Sequence, residues 1–116
     1  MQDLKARTKK FALDVVRACV SCPKRDEVLI ITRQLMRAAT SVAANYRSAC
    51  RGKSKPDFIN KLSIVEAEAD EAALWIEMLM ELNVSNSPEL PRLLREANEL
   101  VAIMVSSKKT ARGTAK

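Results

Sequence analysis

Residues 31–51 read ITRQLMRAATSVAANYRSACR, and the spacing of their apolar side chains decides the fold. At about 100° per residue, Ile31, Leu35, Ala38, Val42, Tyr46 and Ala49 gather on one side of a helix. Arg33, Arg37, Arg47 and Arg51, with Thr40 and Ala44, fall opposite in a stripe about 80° wide. This is an amphipathic helix with an apolar face to bury. The pattern stops at Gly52-Lys53-Ser54-Lys55-Pro56-Asp57. Gly52 suits a left-handed residue after a helix. Ser54 suits an N-cap, Pro56 is tolerated in the first turn, and Asp57 takes the capping-box position. A second helix therefore starts after a short link.

The same punctuation recurs on either side. Ser21-Cys22-Pro23 ends an earlier helix near Val20, because proline cannot continue one. Ser87-Pro88-Glu89 is a strong start signal after the polar run from Asn83. Four helical segments result, at about residues 3–20, 25–51, 55–82 and 88–108. The first gathers Leu4, Thr8, Phe11, Val15, Cys19 and Cys22 on one face. The last gathers Leu90, Leu93, Leu94, Ala97, Leu100, Val101 and Met104. Four amphipathic helices with short links predict an all-α, up-down-up-down four-helix bundle over residues 1–108. Residues 109–116 are expected to form a flexible basic tail.

Composition narrows the function. The chain has 116 residues, one domain's worth, and can bury roughly 65% of its unfolded surface. It has no histidine, which removes the commonest general base and the commonest metal ligand. Its two glycines cannot build a phosphate-cradling loop or a dinucleotide fingerprint. No apolar run approaches the roughly 20 residues of a membrane span. The charged N-terminus does not resemble a secretory signal, so a cytoplasmic protein with reduced thiols is expected.

Constellations for chemistry are weak. Cys19 and Cys22 form a CxxC on the apolar side of their helix, and two further zinc ligands are not available nearby. They read as buried structural cysteines. Glu68 and Glu71 supply carboxylates but lack the Glu-x-x-His pairing of a di-metal site, and Ser41 and Ser63 have no imidazole to activate them. No catalytic residue, metal or cofactor is expected, and the chain is not expected to be an enzyme.

The net charge of +6 hides a block structure. Residues 1–61 carry 14 basic and 5 acidic side chains, residues 62–82 carry 6 acidic and none basic, and residues 83–116 carry 6 basic and 3 acidic. The arginine stripe of the second helix therefore has an acidic counterpart on the third, where Glu66, Asp70, Glu77 and Glu81 line up with Ala73 between. Like charges at i,i+4 cost a few tenths of a kcal/mol unless neutralised. The stripe is a solvated face, a phosphate contact or a surface for an acidic partner. Arg33, Arg47 and Arg51, with Lys53 and Lys55 of the link, are the candidate nucleic-acid-binding residues. A polar row, Arg37, Ser41 and Asn45, is expected to meet Glu68 and Glu71, within the bundle or across a subunit interface. With only Phe11, Tyr46, Phe58 and Trp75 as aromatics, a stacking platform for single strands is not expected.

Arg33 through Arg47, and Phe58 through Glu71, resemble the second and third helices of bacterial four-helix-bundle proteins associated with intervening sequences in 23S ribosomal RNA genes. Phe11 and Pro23 also match in place, and the similarity covers about residues 4–107. A related branch is the accessory variability determinant of diversity-generating retroelements, which works beside a reverse transcriptase and binds nucleic acid. The resemblance implies a four-helix bundle assembled as a ring-like homopentamer. It implies a protein whose partners are further copies of itself, nucleic acid or, in the retroelement branch, a reverse transcriptase, with no membrane. The family pattern also lands on Arg37, Ser41 and Asn45. In a ring, the basic second helix of one subunit could face the acidic third helix of the next. The alternative to a nucleic-acid role is a structural or protein-interaction scaffold.

Overall fold

In the computed structural model, which describes residues 3–85 and 87–113, each helix begins and ends where local chemistry permits. Helix α1 (Leu4–Val20) is capped by Asp3, whose carboxylate accepts the Ala6 amide at 3.1 Å. Helix α2 (Asp26–Cys50) opens with Asp26 and Glu27, whose charges suit a helix N-terminus. Helix α3 (Lys55–Glu81) is capped by Ser54, whose hydroxyl accepts the Asp57 amide at 3.2 Å, with Pro56 in the first turn as expected. It ends at Asn83, which takes a left-handed conformation (φ 55°) that asparagine tolerates better than most residues. Helix α4 (Glu89–Ala111) follows Pro88, already in helical conformation, and the Ser87 hydroxyl accepts the Glu89 amide at 3.1 Å.

Two local expectations change. Gly52 is not left-handed; of the two glycines only Gly113 has positive φ. Glycine suits position 52 because a Cβ there would lie 2.8 Å from the Asp57 carboxylate, which would have to move aside, and 3.0 Å from the Ala49 carbonyl. Helix α4 also runs past residue 108, through the first three residues of the expected basic tail. Lys109, Thr110 and Ala111 continue α4, and Gly113 is the first left-handed residue beyond it. Nothing between Lys108 and Ala111 breaks a helix, and Lys108 and Lys109 suit the negative end of the helix dipole. Residues 114–116 of the expected tail lie outside the described residues.

The four helices pack in cyclic order: α1 on α2, α2 on α3, α3 on α4, and α4 back on α1. Cross-helix pairs fix their directions. Arg37 of α2 reaches Glu68 and Glu71 of α3, Lys108 of α4 reaches Ser63 and Glu66 of α3, and Arg7 of α1 reaches Glu96 and Glu99 of α4. Neighbours therefore run antiparallel, and the rod measures 50 × 22 × 21 Å. Phe11, Val15, Val28, Leu35, Val42, Leu62, Val65, Ile76, Leu79, Leu93, Leu100 and Met104 fill the centre. Thr8 and Thr32, the buried polar residues among them, donate their hydroxyls to backbone carbonyls of their own helices, as a dry interior requires.

The α4–α1 seam is the most sparsely packed, and charges clasp it. The Arg7 guanidinium donates to Glu96 at 2.7 and 2.8 Å and to Glu99 at 2.7 Å. Arg92 bridges Glu89 on its own helix to Asp14 on α1. Cys19 and Cys22 are buried, and Cys19 donates its thiol to the Thr32 carbonyl at 3.8 Å. Burial pushes the Cys19 thiol up to about 12 and raises that of Cys22.

Candidate nucleic-acid interface

Antiparallel packing sorts the charges along the rod. One end collects the start of α1, the end of α2, the start of α3 and the end of α4. Residues 3–10, 44–61 and 105–113 carry twelve basic and two acidic side chains. The rest of the bundle, residues 11–43 and 62–104, carries seven basic and twelve acidic. The block asymmetry of the sequence thus becomes an axial polarity.

Arg47 and Arg51 lie at the centre of the basic end. Both are exposed, because the opposite side of α2 is committed to the core through Leu35, Ala38, Val42 and Ala49. They border two open depressions. One, about 610 Å³, lies between α1 and α2, with Lys5 and Lys9 on its far side and Thr40, Ala43 and Ala44 along α2. The other, about 520 Å³, lies between α2 and the start of α3, with Ser48, Gly52, Lys53 and Lys61. Asp57 is the one carboxylate lining either. The small side chains Ala43 and Ala44 leave room for the first depression, and Ala44 for the second. No ion pair to a described residue neutralises Lys5, Lys9, Arg47, Arg51, Lys53 or Lys61. Arg47 and Arg51 are i,i+4 neighbours, as are Lys5 and Lys9, so each pair repels by a few tenths of a kcal/mol until an anion arrives.

The structure divides the arginine stripe. Arg37 is occupied: it donates to Glu68 at 3.1 and 3.3 Å and to Glu71 at 2.5 Å, and these carboxylates raise its pKa. Glu71 also accepts the Trp75 indole N–H at 3.0 Å, and that bond, followed by Arg37, lowers the Glu71 pKa. Arg33 is exposed but lies 14 residues before Arg47, roughly 21 Å along the helix, in the half with the carboxylates. Lys55 is exposed at the first turn of α3 and lines neither depression. The polar row divides too. Arg37 meets both glutamates within the chain, whereas Asn45 turns back on Ser41, donating to its carbonyl at 3.0 Å and its hydroxyl at 2.9 Å.

Lys5, Lys9 and Lys61 were not among the sequence candidates, because they sit on other helices. The acidic stripe of α3 is also interrupted. Ala73 is buried, Glu66 is paired with Lys108 at 2.7 Å, and Asp70, Glu77 and Glu81 are exposed without an ion pair to a described residue. One Glu66 oxygen is shielded from water with only that ammonium beside it. Among the described residues no group of three or more Cys, Asp or Glu side chains is placed to hold a metal ion, and no helix is long and apolar enough to cross a membrane.

No curated protein matches the chain. Among solved structures, the bundle is similar to the crystal structure of a protein of unknown function from the S23 ribosomal protein family of Bacteroides thetaiotaomicron. The TM-score is 0.82 at 28% identity, over 90% of this chain and 97% of that one. The family model described as 23S rRNA-intervening sequence protein matches residues 2–106. With four antiparallel helices in the same arrangement and a match over nearly its whole length, this chain belongs to the 23S rRNA-intervening sequence protein family.

Proposed function

We propose that this chain is a non-enzymatic helical-bundle protein that assembles with copies of itself and binds RNA or DNA through phosphate contacts at its basic end. One observation carries the reading: six unpaired cations surround two adjoining depressions with a single carboxylate among them. Such a surface gains by releasing the counterions of a nucleic acid. The self-assembly is a ring-like homopentamer, as the family resemblance implies. The exposed apolar side chains support it, since Leu13, Val20, Ile30, Leu74, Met78 and Leu82 all lie in the half away from the basic end. Unpaired Asp70, Glu77 and Glu81 accompany them on α3, and Arg33 of a neighbouring copy has the charge to meet them. This arrangement leaves the basic end open.

The exposed apolar and acidic side chains of that half favour a second reading, a protein-interaction scaffold with no nucleic-acid role. Light scattering combined with retention of labelled RNA and DNA at low salt separates the two. A mass of about five chains with retention supports the first reading. A ring that retains neither supports the scaffold. A monomer at micromolar concentration contradicts self-assembly in both.

A further inference from the structure

The layout of the cations carries information about the shape of the nucleic acid, and this inference rests on the phosphate-binding reading above. Three rows lie side by side: Lys5 and Lys9 on α1, Arg47 and Arg51 on α2, and Lys53 and Lys61 on the α2–α3 link and α3. Packed helices lie about 8–10 Å apart, and α1 and α3 sit diagonally across the ring, so the axes of the two helices that flank α2 are roughly 11–14 Å apart. A single phosphate strand can follow one row. Three rows with a depression on each side of the middle one match two strands flanking a groove.

The depth of the surface selects the groove. α2 stands at a corner of the four-helix ring with α1 and α3 packed on either side, so it presents a broad, blunt ridge bearing the arginines between the depressions. The B-DNA major groove, about 8.5 Å deep, suits a free-standing helix, and its minor groove, about 6 Å wide, is too narrow for this ridge. An A-form duplex presents a wide, shallow minor groove edged by phosphates and 2′-hydroxyls. Thr40 lines one depression and Ser48 the other. The Thr40 hydroxyl donates to the Met36 carbonyl at 2.8 Å and keeps its lone pairs free to accept from a 2′-hydroxyl. Phe11, Tyr46, Phe58 and Trp75 line neither depression, so unpaired bases find nothing to stack on.

We infer that the basic end binds double-stranded RNA across its shallow groove, with Arg47 and Arg51 over the groove and one phosphate strand on each lysine row. The test uses fluorescence anisotropy with three labelled probes of one sequence: duplex RNA, duplex DNA and single-stranded RNA. The expected result is duplex RNA bound at least about tenfold more tightly than either competitor, with Lys5→Glu/Lys9→Glu and Lys53→Glu/Lys61→Glu each weakening it by about tenfold or more. Thr40→Val narrows the preference for RNA over DNA. Lys5, Lys9, Thr40 and Lys53 are exposed and Lys61 is half-buried, and circular dichroism checks that the variants stay folded. Equal or tighter binding of single-stranded RNA or duplex DNA overturns the inference, as does a loss confined to one lysine row. Binding of no probe at low salt instead overturns the phosphate-binding reading beneath it.

Discussion

Replacing Asp14 by alanine tests whether charge holds the sparse α4–α1 seam. The Asp14 side chain is 12% exposed and accepts from Lys10 at 2.7 Å, Arg92 at 3.1 Å and Arg17 at 3.3 Å. The two contacts within α1 are worth about 0.3 kcal/mol each. The contact to Arg92 crosses the seam and, on a partly exposed partner, contributes about 1 kcal/mol or less. The expected loss is about 1.5 kcal/mol. With an unfolding entropy of about 2.1 cal/mol/K per residue over 116 residues, that lowers the Tm by about 6 °C. Thermal melts followed by circular dichroism, at one fixed chain concentration because self-association shifts Tm, measure it. A cycle with Arg92→Ala isolates the cross-seam part, expected at about 0.5–1 kcal/mol. The pH dependence has a definite sign. Lys10, then Arg92, hold the Asp14 pKa below its ordinary 3.8 in the folded chain. Its contribution is therefore complete above the unfolded-state pKa and disappears as pH falls through the folded one. Parent and variant should differ at pH 7 and converge in strong acid. Equal melting at pH 7, or a gap unchanged in acid, refutes the clasp.

Other expectations follow from burial and backbone. Leu100 is fully buried, so Leu100→Ala should cost about 3–5 kcal/mol in urea denaturation. In a thiol-reagent assay on the native protein, exposed Cys50 should react quickly while Cys19 and Cys22 wait for denaturant. Ser54→Ala should remove about 1 kcal/mol through the lost α3 cap, read from the same denaturation curves.

The helix boundaries are legible because capping and breaking are local. Ser54, Pro56 and Ser87 announce helix starts whatever the bundle does around them. The end of α4 is harder to place because a polar, basic segment looks like a tail, while Lys108 tethers it to Ser63 and Glu66 on another helix. The candidate site is half legible for a related reason. An angular projection of α2 places Arg33, Arg37, Arg47 and Arg51 in one line, but it holds no information about neighbours. Packing gives Arg37 to Glu68 and Glu71, leaves Arg33 among carboxylates, and brings Lys5, Lys9 and Lys61 to Arg47 and Arg51. One signal is nonetheless present in the chain itself. Folding the four segments back and forth places residues 3–10, 44–61 and 105–113 together, and their charges, summed by end rather than by segment, already mark the basic end. The buried Ala73 shows the converse, since α3 contacts both α2 and α4 and cannot keep one unbroken acidic face.

The central claim is that Arg47 and Arg51 anchor a phosphate-binding end, and the salt dependence of binding tests it most directly. Six phosphate contacts predict a slope of about −5 in log K against log salt, a loss of about 10³ between about 50 and 200 mM. Arg47→Glu/Arg51→Glu should flatten that slope by about 2 and weaken binding at every salt concentration. Arg95→Glu, exposed on α4 in the far half of the rod, should leave both unchanged. Binding that is insensitive to salt, or that responds as strongly to Arg95→Glu as to the Arg47 and Arg51 reversal, contradicts the account.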